Sequence, residues 1–440
     1  MPAPEKLPPG SSGLPLLGET LPFISDMFGF IRGRTERYGP VFRSSILGHP
    51  TAFISGPEVT DQWLDESKIQ RADSFPAPVR QLVGGPGILP LMDGAEHRQR
   101  KELLMAAFTR EALATYLPAL QQIIESALGR WATGVQRPLL PELKLVAVEG
   151  ICANVLGMKA GPELDRLVSD YGVLFKGFTG LPLNLPGFSF RAALQARDRI
   201  LSQLAAEVQR HQAGKFEDGL SRVLAARTAA GKGIAPGDAT KEMHHVVLAG
   251  VIVFAELGAM LLELSRHPAV RETLVAEVKA VAPGGPVTPD QLRQMPYLDQ
   301  VVMEVKRTCP NVPVSFGRSR VPIHIGGTTI PAGWNVMMAI GEHNRNAIFT
   351  RPEEFDPDRF GESRAEQRRH PHAFAPQGAG SLLGGHKCAG YDYSTVFMQL
   401  FTVLLARGYT WEVPPQDLSV NRALVPPELK SGLRVVIRKR

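Results

Sequence analysis

From Gly94 to about Ala282, apolar residues recur three and four apart, as in Leu113, Tyr116, Leu117, Leu120, Ile123, Ile124 and Leu128. A stripe of that period lies on one side of an α-helix and has to be buried against a neighbour, so the middle of the chain is committed to packed helices. Breakers at Gly134, in the loop Gly177 to Gly187 and at Gly231 to Gly237 divide it into several. Ahead of it, "VFRSSILGHPTAFIS" (Val41 to Ser55) sets two apolar runs around Gly48-His49-Pro50, which predicts a β-hairpin. Behind it, Thr288-Pro289-Asp290 supplies an N-cap and a first-turn proline for a helix running to Arg307, restarted at Pro296. Short strands are expected between Val314 and Val336, an apolar helix from Asp392 to Leu405, and closing strands at "YTWEV" and "LRVVIRK". The predicted fold class is mainly α with minor β. No linker of domain-boundary quality divides the 440 residues, so one large domain is expected: residues 1–93 rich in β structure, residues 94–310 helical, and residues 311–440 holding strands, a cysteine loop and a last helix.

Composition then excludes several classes. Hydrophobic residues at 44% with charged residues at 21% belong to a packed globular protein, not to a disordered or coiled-coil chain. Cys152, Cys309 and Cys388 are too scattered for a disulfide framework and form no CxxC pair, which points to the cytoplasm. Six prolines among the first 25 residues argue against a signal peptide or membrane anchor, and the apolar run Val246 to Ala255 suits a buried helix rather than a span. The net charge of +6 is spread along the chain without a basic, aromatic-rich run, which speaks against nucleic acid and for an acidic protein partner.

The chemistry concentrates around Cys388. It sits in Phe374-Ala-Pro-Gln-Gly378-Ala-Gly380-Ser-Leu-Leu-Gly384-Gly385-His386-Lys387-Cys388-Ala389-Gly390, a glycine-rich loop opening directly into an apolar helix. Backbone N–H groups and a helix N-terminus can stabilise a sulfur anion, which would serve as a nucleophile or as an axial ligand to haem iron. The alternative is a small buried hydrophobe, since free cysteine is among the most buried residue types.

Two further segments bear on the choice. Glu304-Val305-Lys306-Arg307 places a carboxylate and a guanidinium at i and i+3 on one helix. Pro352-Glu353-Glu354-Phe355-Asp356-Pro357-Asp358-Arg359-Phe360 follows, and then the cysteine loop. ExxR, FxPxRF and a glycine-rich cysteine loop, in this order, resemble the cytochrome P450 family, of the soluble bacterial type, over almost the whole chain. The resemblance implies a haem-thiolate oxidoreductase that binds haem b, with Cys388 as the thiolate ligand of the iron. It implies a buried ion network of Glu304, Arg307 and Arg359 beneath the cofactor. Its haem-contacting positions fall on His97, Lys101, Arg318 and His386 for the propionates, with Arg100 a neighbouring substitute for Lys101, and on Gly384, Gly390, Ala249 and Gly250. It also implies a hydrophobic small-molecule substrate and an acidic ferredoxin or flavodoxin donor, which Lys387, Arg368 and Arg369 would suit.

The chain departs from the family in two places. The central helix reads Ala249-Gly250-Val251-Ile252-Val253 where the family carries an acid and an alcohol that relay protons during oxygen activation. Valine and isoleucine cannot form such a relay. Glu256, one turn on, is the nearest acid and the expected catalytic substitute, while His244 and His245, two turns earlier, are candidates for substrate contact. Phe374 precedes Cys388 by 14 positions, about double the family's FxxGxxxC spacing. The lengthened loop is similar to that of bacterial fatty-acid peroxygenases, without their Arg-Pro pair, and loosely to allene oxide synthases. The expected function is therefore an atypical oxidative step, monooxygenation or oxidative cyclisation, in specialised metabolism. The alternatives are a peroxygenase, hydroperoxide-rearranging or group-transfer enzyme independent of dioxygen and reductase, and a haem-binding protein without turnover.

Overall fold

A computed structural model describes residues 6–383 and 385–440; Gly384 lies outside the described residues. The helical middle forms as its periodicity requires. Thr109 caps Arg110–Trp131 by accepting from Ala112 N, and that helix buries Leu113, Tyr116, Leu117, Leu120, Ile124 and Leu128 on one face. Each such side chain contributes about 1.5–3 kcal/mol on burial. Two helices are apolar on most sides and lie inside the molecule, Leu140–Leu156 and Tyr391–Gly408. The first ends on left-handed Gly157, where a Cβ would meet Asp218 Oδ2 at 2.3 Å. The Thr288 cap is a full capping box with Gln291, and Pro296 starts a new helix, Pro296–Thr308, as the sequence predicts.

The central helix differs from expectation. It is two segments, Pro236–Val251 and Val253–Arg266, with a break at Ile252. Together they are long and apolar enough to cross a membrane by length and composition, yet the most apolar stretch is two-thirds buried within the protein, as befits a core helix.

The strands frame one side. Val41–Ile46 and His49–Ile54 make the predicted hairpin. Asn335–Ala339 joins it in parallel, Thr51 opposite Asn335, and Val314–Ser319 follows antiparallel with Arg318 opposite Asn335. Ile69–Gln70 closes this five-stranded sheet, Gln70 opposite Arg318. Arg137–Pro138, Arg434–Lys439 and Tyr409–Glu412 form a smaller sheet, and two short hairpins complete the β structure. The register puts Phe316 and Arg318 on one face of the main sheet, where Phe75 packs on Phe316 with ring centroids 5.1 Å apart.

Candidate functional site

The cysteine loop folds back on itself. Gly378 has a φ of +89°, and a Cβ there would meet the His386 carbonyl at 2.6 Å, so only glycine lets the two limbs close. Cys388 N donates to the Gln377 carbonyl at 2.8 Å, and Tyr391 N, at the start of the Tyr391–Gly408 helix, donates to the Cys388 carbonyl at 3.2 Å. Cys388 as a residue is exposed, although protein packs around its sulfur. That burial pushes the thiol pKa up, while the Gly390 N–H and the ammonium groups of Lys306 and Lys101 favour the thiolate. A Cβ on Gly390 would stand 3.9 Å from Cys388 Sγ.

Behind the loop lies a closed ion network. Glu304 receives Arg307 through two bonds of 2.7 and 2.8 Å, and Arg359 Nε reaches the same carboxylate at 3.2 Å. Arg359 Nη1 also donates to Glu366 at 3.0 Å, so two buried guanidiniums face two buried carboxylates. Nothing in the sequence singles out Glu366, which is hidden in the basic run Arg364 to His372. Burial would raise its pKa, but hydrogen bonds from Arg364, Thr350 and Arg359 hold it down at about 2. The remaining guanidinium hydrogens go to the carbonyls of Asn344, Pro352, Glu354 and Thr350, which fastens the helix Pro296–Thr308 to the segment that leads into the cysteine loop.

The third group joins two imidazoles to cationic side chains. His97 and His386 stack with ring centroids 4.2 Å apart. Arg71, which sequence reasoning misses, is buried just after the strand that pairs with Arg318. His97 Nδ1, His386 Nε2 and Arg318 Nε are buried without hydrogen-bond partners among the described residues. Burial, reinforced by neighbouring positive charge, depresses His97 to about 4 and His386 to about 2. Burial lowers Lys101 to about 8, and its Nζ donates to the carbonyls of Gly385 and Lys387 at the foot of the loop, leaving one of its three hydrogens for a ligand. Glu66 approaches His386 at 3.5 Å, and Glu66 and Asp93 both act on Arg71, but Asp93 is shared with Arg320, so the two carboxylates only partly offset Arg71, Lys101 and Arg318. Glu66, His97 and His386 have the spacing of a metal triad, which the adjacent Arg71 and Lys101 disfavour. Orphaned donors and excess positive charge call for an anion with several oxygens, and the two carboxylates of a haem fit that demand beside an exposed cysteine.

Other expected site residues are placed differently. Arg100 turns away from the cluster to Asp238 and Glu242 at 2.7 and 3.1 Å, so it does not substitute for Lys101. The side-chain position of Gly250 is filled by Ile151 of the Leu140–Leu156 helix at 2.7 Å, which makes this glycine a helix-packing residue. Ala249 beside it is half-buried. His244 is fully buried and bonded at both nitrogens, to the Tyr171 hydroxyl at 3.1 Å and the Leu82 carbonyl at 3.0 Å. It holds the 82–91 loop and is not free for substrate. His245 turns to Glu242. Glu256 does not line the apolar break at Ile252: its buried carboxylate faces the cysteine-loop side, against Gln377 at 3.3 Å and Lys306 at 3.9 Å.

The family model for cytochrome P450 matches residues 8–424. The chain belongs to the cytochrome P450 family. It is 29% identical over 435 residues to the putative cytochrome P450 120 of a Synechocystis strain, covering 98% of this chain and 96% of that one. It is 28% identical to abscisic acid 8'-hydroxylase 4 of Arabidopsis thaliana, covering 99% and 92%. The solved structure of retinoic-acid-bound cyanobacterial CYP120A1 matches over the whole of both chains with a TM-score of 0.91 at 28% identity. A structure of cytochrome P450 OleT with arachidonic acid, at 21% identity and a TM-score of 0.81, shares the fold. This P450 is accordingly a haem b oxidoreductase of the monooxygenase kind that acts on hydrophobic small molecules.

Proposed function

We propose that this P450 is a soluble cytoplasmic enzyme that oxidises a hydrophobic carboxylic acid, with Cys388 as the iron ligand and with His97, His386, Arg318, Arg71 and the remaining hydrogen of Lys101 holding the haem carboxylates. The single observation that carries the cofactor assignment is the set of orphaned buried nitrogens on His97, His386 and Arg318 next to an exposed cysteine. When bound, the haem supplies the activation of oxygen, one atom entering the substrate and one leaving as water. The substrate class is supported by two relatives whose names specify carboxylic acids on largely hydrocarbon skeletons, retinoic and abscisic acid, by the Phe75–Phe316 aromatic pair and by the apolar side chains at the central break.

The protein's own groups do the positioning. Gly390 N–H and the neighbouring ammoniums favour the thiolate. The Glu304, Arg307, Arg359 and Glu366 network keeps the loop from moving. No side chain at the central break carries a proton, because Val251, Ile252 and Val253 are apolar. The last turn of Pro236–Val251 nevertheless leaves main-chain carbonyls without intrahelical partners, and water held there is the proton route we assign. Exposed Arg368 and Arg369, with Lys387 over the Tyr391 ring at 3.7 Å, give an acidic ferredoxin-type donor a basic face to meet.

The test is a paired incubation of haem-loaded enzyme with retinoic and abscisic acids, once with dioxygen, ferredoxin, reductase and NADPH, once with peroxide alone. Oxygenated product in the first arm only supports the proposal, and Ile252→Thr should then raise the ratio of product formed to NADPH consumed. Product in the second arm only, or no effect of Ile252→Thr on that ratio, overturns the water-relay reading. Conversion of neither acid overturns the substrate class.

A further inference from the structure

Beneath the cysteine loop is a second charged group that the ion network does not use. Lys306, between Glu304 and Arg307 on the same helix, is 1% exposed. Its ammonium donates to Ser394 Oγ and to Gln377 Oε1 at 3.1 Å, and it lies 4.6 Å above the Tyr391 ring. Its one ion-pair partner among the described residues is Glu256, itself 2% exposed, at 3.9 Å, too far for a tight pair; Asp392 also attracts Lys306, and the Asn311 side chain favours the ionised Glu256. Gln377 joins the two, since its Nε2 donates to Glu256 at 3.3 Å. The main-chain carbonyl of the same Gln377 accepts from Cys388 N at 2.8 Å. The cysteine's own peptide is therefore one residue away from a buried, loosely opposed pair of charges.

We infer that Lys306 and Glu256 are positioning residues for the thiolate: Gln377 couples them to Cys388, and their opposed charges set the electrostatic potential behind the sulfur. This rests on Cys388 being the iron ligand. A buried ion pair of this kind contributes little net stability compared with apolar residues of similar volume, so stability alone does not explain it. Its charges act on whatever charge resides at the sulfur and on the group bound there. The expected signature of such a role is a pair of opposite effects. Loss of the Glu256 charge leaves Lys306 unopposed and favours the reduced cofactor, whereas loss of the Lys306 charge leaves Glu256 unopposed and disfavours it. A unit charge added or removed about 10 Å from a redox centre, at an effective dielectric of about 20, alters its one-electron reduction constant on the order of tenfold, or about 59 mV.

The experiment is spectroelectrochemical titration of the haem-loaded protein, with the carbon monoxide complex of the reduced form recorded alongside to report the ligand. Glu256→Gln should raise the midpoint potential, Lys306→Met should lower it, Glu256→Gln/Lys306→Met should return it towards the parent, and Lys306→Arg should hold it. If Lys306→Met does not load haem, a rise in Glu256→Gln that the double variant cancels still supports the inference, and a rise that it leaves standing overturns it. Shifts of the same sign in both single variants, or no shift, with the thiolate band intact, overturn the inference alone. A parent protein whose carbon monoxide complex lacks the thiolate band overturns instead the assignment of Cys388.

Discussion

Replacing Arg359 with leucine tests whether the ion network holds the haem platform. Arg359 is fully buried and bonds Glu304, Glu366 and the carbonyls of Thr350, Arg351 and Glu354. Without it, Glu304 keeps the two bonds from Arg307 and one from Asp356 N, and Glu366 keeps Arg364 and Thr350 N. The Glu354 carbonyl still has Arg307 and the Arg351 carbonyl still has Glu354 N. What is lost is charge balance, two carboxylates against one buried guanidinium, together with the one side-chain donor to the Thr350 carbonyl among the described residues. Breaking a buried pair from one side costs about 3–5 kcal/mol, and the surviving contacts put this case near 4. At about 2.1 cal/mol/K per residue, a chain of 440 residues has an unfolding entropy of about 0.9 kcal/mol/K, so Tm should fall by about 4 °C in calorimetry of the haem-loaded protein. Arg359→Leu/Glu366→Leu restores neutrality, and Arg364 retains Asp356 at 2.6 Å, so the double variant should recover roughly half of the loss. A single variant within about 1 °C of the parent, or a double variant as damaged as the single, would refute the reasoning.

Two more outcomes follow from the same geometry. Glu366 is held near 2 in the folded protein, below the ordinary carboxylate value, so its contribution is complete above about pH 4.5 and is lost as the pH falls from there towards 2; the Tm of Glu366→Gln should change less across that window than the parent's, and parallel curves would count against the assignment. His244→Leu leaves the Leu82 carbonyl buried without this donor, a loss of about 1–3 kcal/mol, while the Tyr171 hydroxyl keeps the main-chain carbonyl of residue 244, so limited proteolysis between Leu82 and Leu91 should accelerate, and an unchanged cleavage rate would show that His244 does not secure that loop.

Much of this is legible in the sequence where the physics is local. The hairpin at Gly48, the capping box at Thr288 and the Glu304 to Arg307 pair all lie within a few residues of their signals. The cluster of imidazoles and cations is only partly legible. His97, Lys101, Arg318 and His386 stand at matching positions of the family pattern, whereas Arg71 joins them through the register of Gln70 against Arg318, which no local signal encodes. Glu256 is misplaced by sequence reasoning for the same kind of reason. Its partner Gln377 is 121 residues away, and helical spacing from Ile252 gives a face but not what the face meets. The break at Ile252 carries no proline, and its neighbour Gly250 is accounted for by Ile151.

The contact between Gly250 and Ile151 also imposes an order on the changes this lineage can accept. A side chain at position 250 is blocked until position 151 becomes smaller, because Ile151 Cγ1 and Cβ lie 2.7 and 3.1 Å from where a Cβ would stand. Substitutions along the central helix are therefore epistatic with those on the helix behind it, and a single-step mutational scan would score as forbidden some sequences that two steps, taken in the right order, can reach.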